Sequence, residues 1–115
     1  MYLNGDRGDV VLVLFPFREK DGRAKPRPSV IIREDCIDEY YLCEITTTDR
    51  SDKLAGKWIL VDSTEGRQMG ITQNCFVNYE NRVKLIKRVV HKKIGTYPLI
   101  SELEEYLESI GEEIR

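Results

Sequence analysis

The apolar residues of this 115-residue chain fall in short runs until the final segment, where their spacing changes. The longest run, Val10 to Phe15, is of strand length and ends at Pro16, which suits a buried β-strand. Near the C-terminus apolar residues recur at intervals of three and four, at Leu99, Ile100, Leu103, Tyr106, Leu107 and Ile110. The pattern predicts short strands followed by one amphipathic helix. No run approaches the ~20 residues that a membrane-spanning helix needs.

The predicted strands are separated by polar and turn-forming segments. They cover residues 8–15, 28–33, 40–47, 58–61, 71–77 and 82–86, with a further short strand at 93–96. Segment 63–70 reads as a turn, and segment 87–93 is ambiguous, with a helical turn as one interpretation. Evenly spaced short strands predict a small barrel with the helix packed against it.

The length suits one domain over residues 1–115, with the barrel at about 6–97 and the helix at about 99–111. Ser101, with Glu104 three residues later, predicts a capping box, and Gly111 predicts the end of the helix.

Cysteine and histidine usage excludes several classes of protein. Cys36, Cys43 and Cys75 form no CxxC motif, so we interpret them as ordinary thiols rather than as a disulfide framework or a zinc site. A single histidine, His91, excludes a multi-histidine metal site within one chain and is more typical of a surface or partly packed residue than of a catalyst. The opening MYLNGDRGD lacks the features of a signal peptide, so the cytoplasm is the expected location.

The net charge of −2 conceals an uneven distribution. Residues 101–115 hold six Glu and one Arg, so residues 1–100 carry 17 basic and 14 acidic side chains, a balance of +3. Basic residues concentrate in segments 18–27 and 82–93. Such segments are able to bind a polyanion on one face, although solvated surface charge gives the same pattern.

Common catalytic motifs are absent: the chain has no glycine-rich phosphate loop, GxSxG or HExxH. Arg27 stands between two prolines, and Thr46, Thr47 and Thr48 end the third predicted strand. RNA can be cleaved without a metal because its own 2′-hydroxyl is the nucleophile, and Arg and Thr can stabilise charge on the phosphate oxygens. The high pKa of arginine favours that role over proton abstraction. Alternatively, Arg27 is a loop cation and the threonines are simply strand formers.

Three blocks of the sequence resemble the MazF/PemK/Kid toxins of bacterial type II toxin–antitoxin systems. The opening GDVVLVLFPF, followed by a charged loop and RPSVII, resembles the opening of that family, and YYLCEITT matches its strand ending in Ile-Thr. The segment GITQNCFVNYENRVKLIKRVVHKKIGTYP resembles its late block. The resemblance covers about residues 6–112.

The resemblance implies an SH3-like barrel of the Kid/CcdB/MazF type with a C-terminal helix, usually as a homodimer. It implies a cofactor-free, metal-independent endoribonuclease that cleaves single-stranded RNA at short sequences. Attack by the 2′-hydroxyl would leave a 2′,3′-cyclic phosphate and a 5′-hydroxyl. The implied partner is a cognate antitoxin whose acidic, partly disordered tail covers the RNA groove. Operator DNA is expected only through the antitoxin, and no membrane is expected as a partner.

Carried over by motif, the family's catalytic arginine falls on Arg27 and its catalytic threonine on Thr46. Thr47 is a substrate-binding candidate, and it takes the place of Thr46 if the register slips by one residue. The late-block arginine falls on Arg82, as a phosphate or structural contact. Tyr79 stands where relatives often have Asp, which leaves any proton-transfer role of that position in doubt. Tyr79 is either a base-stacking residue or a packed one.

The variable loop supplies the remaining substrate-binding candidates, Phe17, Arg23 and Lys25. For Phe17, packing in the core or at a dimer contact is the alternative. Two other functions stay open: a catalytically weak or inactive barrel module that binds nucleic acid or a partner peptide, and gyrase poisoning of the CcdB kind. The RP and IT motifs speak against gyrase poisoning.

Overall fold

The computed structural model describes residues 5–18 and 24–112, and their side chains except at 15–18 and 24–25. Within these ranges the chain forms six strands, a 3-10 turn and two α-helices. In chain order they are β1 (Asp9–Arg18), β2 (Ala24–Asp35), β3 (Glu39–Thr46), β4 (Gly56–Ile59), α1 (Thr64–Met69), β5 (Cys75–Ile86), the 3-10 turn (Lys87–Val89), β6 (Val90–Thr96) and α2 (Ile100–Ser109). Neither described helix is long and apolar enough to cross a membrane.

All six strands join one antiparallel sheet in the order β4-β5-β3-β2-β1-β6. The predicted fold class, mainly β with a C-terminal helix, is confirmed. The sheet itself is not closed, since its edge strands β4 and β6 do not pair within the described ranges. Helix α1, which follows β4, instead packs against β6.

Each face of the sheet carries its own buried cluster because successive strand residues point to opposite sides. Val10, Val30 and Cys43 belong to the cluster that packs against Leu103 and Leu107 of α2. The opposite face buries a second cluster: Val11, Val13, Ile31, Tyr40, Leu42 and Val90. Burial on both faces explains why β1 reads as a continuous apolar run rather than an alternating one.

Two predicted elements are wrong. The strands predicted at 71–77 and 82–86 form one strand, β5, whose pairing with β3 jumps from Glu44↔Asn78 to Cys43↔Arg82. The three residues between Asn78 and Arg82 therefore form a bulge. Their polar sequence had indicated a connection between two strands. The predicted turn at 63–70 contains α1, capped by Ser63, whose Oγ accepts from the Gly66 N–H at 3.0 Å.

The start of α2 also differs from the prediction. Leu99 occupies the N-cap position without a side-chain cap, and Ser101 lies inside the first turn, so the capping box is wrong. Leu99 and Ile100 pack against the core, which fixes the start ahead of Ser101.

The end of α2 is as predicted. Gly111, at φ +81°, donates to the Glu108 carbonyl at 3.0 Å, and the Glu112 N–H donates to the Leu107 carbonyl at 2.9 Å. This is a Schellman motif, and it turns Glu112 out of the helical path.

Helix α1 and strand β6 approach backbone to backbone. Gly70 ends α1 at φ +72°, and a Cβ there would overlap the carbonyl oxygen of Ile94. A Cβ on Gly95 would overlap the backbone of Met69. Only residues without side chains allow this contact.

We expect Gly70→Ala and Gly111→Ala to differ sharply in stability. Both glycines have left-handed backbone, but the space around Gly111 is open. Gly111→Ala should lower the unfolding free energy by about 1 kcal/mol, the conformational cost alone. Gly70→Ala adds a backbone clash and should cost about 3 kcal/mol or more. Urea unfolding measures both, and equal losses would contradict the close contact of α1 with β6.

Candidate active site

A groove of about 530 Å³ lies where β2 begins and β3 ends. Its apolar lining comes from five elements or their connections: Leu12, Pro26, Pro28, Ile45, Ile71 and Ile94. Its polar lining consists of Arg27, Thr46, Thr47, Thr72, Gln73 and Lys92. Two cations and several hydrogen-bond donors thus surround an otherwise apolar surface, and the described lining contains no carboxylate.

The pairing of β2 with β3 places Arg27 and Thr46 on adjacent strands. The ladder begins at Ser29↔Glu44. Continuing its register by two residues sets Arg27 opposite Thr46, on the same face of the sheet. Both side chains are half-buried and both line the groove.

Two prolines keep that end of the ladder open. Pro26 and Pro28 pair with β1, opposite Leu14 and Leu12. Because proline has no N–H to donate, pairing between β2 and β3 stops at Ser29, and the groove occupies the gap. The hydroxyl of Thr46 accepts from the Thr48 N–H at 3.3 Å, an interaction that does not use its own O–H as a donor.

Most of the basic segment 82–93 is neutralised by acids from elsewhere in the chain. The pairs are Arg82 with Glu112 at 3.0 Å, Lys84 with Asp35 at 3.4 Å, Lys87 with Glu34, and Lys93 with Asp9 at 3.2 Å. Lys92 is the member of the segment that lines the groove. The acid-free sequence of this segment therefore overstates the basic surface available to a ligand. His91 is exposed and outside the lining.

Arg82 belongs to a cluster that ties the end of α2 to the sheet, not to the groove. Its Nε donates to the Tyr41 hydroxyl at 2.8 Å, its Nη2 to Glu112 Oε1 at 3.0 Å, and its Nη1 to the Tyr79 carbonyl. The Tyr41 hydroxyl also bonds to the Glu112 carboxylate at 2.9 Å. The Arg82 side chain is 15% exposed, which leaves its guanidinium little access to a ligand.

Tyr79 is packed in the core rather than presented to a base. Its hydroxyl lies 2.6 Å from that of Tyr97, and its ring contacts the rings of Tyr97 and Tyr106. Burial raises the pKa of Tyr79 to about 12, and burial with the Tyr79 hydrogen bond raises the pKa of Tyr97 further. Both phenols are therefore protonated at neutral pH.

The three variable-loop candidates fall on parts of the chain that the structure does not describe in full. Arg23 lies outside the described residues. Phe17 is in β1 and Lys25 in β2, but their side chains lie outside the described set. All three remain predictions.

The cysteines are free thiols, as predicted. Cys75 touches the groove, but burial raises its pKa to about 11, so its thiol is protonated at neutral pH and is a poor nucleophile. Among the described residues, one group has the spacing of metal ligands: Asp35, Cys36 and Glu39, between β2 and β3. Asp35 already pairs with Arg33 and Lys84, and the group is not part of the groove lining.

Sequence reasoning missed the groove lining contributed by the loop after α1 and by β6. Thr72 and Gln73 lie in that loop, and Lys92 and Ile94 lie in β6. The predicted final strand began one residue after Lys92, and the predicted strand at 71–77 covered the loop. The two lysines before Ile-Gly could have indicated a basic site. The position of β6 beside β1, however, cannot be predicted from the residues of β6 alone.

An open antiparallel sheet with a C-terminal helix is consistent with the fold of the MazF-like and PemK-like toxins. The family model described as "PemK-like, MazF-like toxin of type II toxin-antitoxin system" matches residues 6–110. The chain belongs to this family. A comparison with curated proteins found no match.

We expect Arg82→Met to act on stability. It removes three charged hydrogen bonds from a largely buried cluster, so the unfolding free energy should fall by about 1–3 kcal/mol in urea unfolding. Arg88→Met, at an exposed position in the same segment, is the control and should change stability by less than about 0.5 kcal/mol. Equal effects of the two substitutions would contradict a structural role for Arg82.

The tyrosine pair predicts a loss of stability in alkali. The pKa of Tyr79 is about 12 in the folded protein, against a reference value of 10.0, so the native state holds this proton more tightly. Its contribution is complete below pH 10 and is lost as the pH rises from 10 to 12. Tyr79→Phe should therefore reduce the fall in unfolding free energy between about pH 10 and 11, the first part of that interval. Tyr106→Phe, a neighbouring ring outside the Tyr79–Tyr97 hydrogen bond, should leave the fall unchanged.

Proposed function

We propose that this toxin is a metal-independent, sequence-specific endoribonuclease that cleaves single-stranded RNA, with Arg27 and Thr46 at the scissile phosphate. One observation carries the proposal: the arginine of the RP motif and the threonine of the IT motif line one groove from adjacent strands. A pair on opposite faces of the sheet could not have served one phosphate.

The reaction needs positioning and charge stabilisation more than a protein nucleophile. The 2′-oxygen of the substrate attacks the phosphorus in line, the bond to the 5′-oxygen breaks, and the proton lost by the 2′-hydroxyl is balanced by one gained at the leaving oxygen. The products are a 2′,3′-cyclic phosphate and a 5′-hydroxyl. Negative charge grows on the non-bridging oxygens, which the Arg27 guanidinium and the Thr46 O–H are suited to contact.

The composition of the groove favours an unpaired strand. Apolar residues such as Leu12, Ile71 and Ile94 offer surface for bases, while Arg27 and Lys92 offer charge for the backbone. Bases reach such a surface only when they are not held in a duplex. The same cations suit the carboxylates of an acidic, disordered antitoxin tail, so one groove serves both substrate and inhibitor. The proposed working form is a cytoplasmic homodimer, and operator DNA is engaged only through the antitoxin.

The decisive experiment combines product analysis with substitutions in the groove. Purified protein should cleave a defined single-stranded RNA in EDTA and leave 5′-hydroxyl ends that a polynucleotide kinase labels without prior phosphatase. A 2′-deoxy nucleotide at the cleaved position should block the reaction. Arg27→Ala and Thr46→Ala should each reduce the cleavage rate about 10²–10³-fold with unchanged circular dichroism, because each removes a donor to the developing charge.

Controls separate the site from its surroundings. Thr46→Ser keeps the hydroxyl and should restore much of the activity. Thr48→Ala, an exposed threonine outside the groove lining, should cleave like the wild type. A larger loss with Thr47→Ala than with Thr46→Ala would move the role by one residue. Intact RNA at high protein concentration would overturn the nuclease and leave a binding module.

A further inference from the structure

The groove extends two strands beyond Arg27. In the sheet order, β1 separates β2 from β6, so Lys92 lies about 10 Å from the Arg27 strand, two strand spacings away. Leu12 of β1 pairs with Pro28 on one side and with Lys92 on the other. Pro28, Leu12 and Lys92 thus lie side by side on three neighbouring strands, and all three line the groove together with Arg27.

Lys92 differs from most other cations of segment 82–93, and unlike the exposed Arg88 it lines the groove. Arg82, Lys84, Lys87 and Lys93 all have acidic partners. Lys92 is exposed, lines the groove and makes no ion pair with a described residue. Within the described part of the chain, a ligand can therefore reach its ammonium group without breaking an ion pair.

The loop beside Lys92 is held at both ends. The Gly70 N–H donates to the Arg67 carbonyl at 3.2 Å, which fixes the exit from α1. The Asn74 side-chain oxygen accepts from the Val61 N–H at 2.8 Å, which fixes the entry to β5. Between these anchors, the exposed Gln73 lines the groove. A fixed loop presents an amide whose donor and acceptor match the edge of a base.

We infer that the groove contains a second nucleotide subsite, in which Lys92 binds an RNA phosphate next to the scissile one and Gln73 contacts a base. This inference rests on the proposed nuclease function for its choice of ligand. It assigns two separable tasks to the far end of the groove. Lys92 contributes affinity that is independent of sequence, and Gln73 contributes sequence preference.

The role of Lys92 is tested by binding, which does not require cleavage. A fluorescent single-stranded RNA with 2′-O-methyl groups throughout cannot be cut by 2′-hydroxyl attack and serves as the probe. Lys92→Ala should raise its Kd about fivefold at low salt and reduce the slope of log K against log salt by about 0.7, the loss of one phosphate contact. Lys92→Arg should keep both near the wild-type values. Lys53→Ala removes an exposed lysine outside the groove and is the matched control.

The role of Gln73 is tested on a randomised RNA library. Gln73→Ala should relax base preference at one position beside the cut and leave the salt slope unchanged. Gln68→Ala, at an exposed glutamine of α1 outside the groove, should keep the wild-type profile. If the wild type cuts no RNA, the same library is read by selection of bound sequences.

The possible failures are distinguishable. Absence of cleavage with an intact Lys92 effect on binding would overturn the nuclease proposal and support the subsite. Equal effects of Lys92→Ala and Lys53→Ala on the salt slope would overturn the subsite, as would an unchanged profile for Gln73→Ala. A Glu-rich peptide is the third probe. If Lys92→Ala weakens binding of this peptide but not of RNA, the inference is wrong and Lys92 contacts a protein partner.

Discussion

The absence of two backbone donors determines where the pairing of β2 with β3 ends. Pro26 and Pro28 still take part in the ladder with β1, so β2 remains in the sheet while its other edge is left open. A fully paired β2 and β3 would fill this gap. Arg27 lies between the two prolines, so the residues that leave the gap open also place the arginine beside it. The tripeptide Pro26-Arg27-Pro28 therefore determines both where the strand pairing ends and which cation lies at that point.

Charge compensation decides which parts of the surface can meet a polyanion. The sequence divides acids and bases by position along the chain, but folding pairs them again: Lys93 meets Asp9, Lys84 meets Asp35, and Arg82 meets Glu112 at the end of α2. Among the described side chains of the groove, Arg27 and Lys92 supply the positive charge. In segment 82–93, the basic surface that the sequence suggests is therefore reduced mainly to Lys92 at the groove.

Local signals predicted much of the fold and the near end of the groove. The apolar run of β1, the spacing of α2 and the helix-ending Gly111 were readable because neighbouring residues determine them. Arg27 and Thr46 were found through motifs at strand ends. The part of the groove formed by Gln73 and Lys92 was not predicted. These residues come together only through the order of the strands and through α1, whose sequence had indicated a turn. For Tyr79 and Arg82 the sequence left two alternatives open, and the bulge in β5 and the turn after α2 favour the structural one.

The glycine contact between α1 and β6 joins two parts of the groove lining, the end of α1 and strand β6. Gly70 and Gly95 bring the backbone of the helix onto the backbone of the strand, so the loop that carries Gln73 begins in direct contact with the strand that carries Lys92. Gly70 lines the groove itself, whereas Gly95 influences the shape of the groove through this backbone packing alone. A larger residue at Gly95 would force the helix and the strand apart, and would thereby alter the shape of the groove without replacing any side chain that lines it.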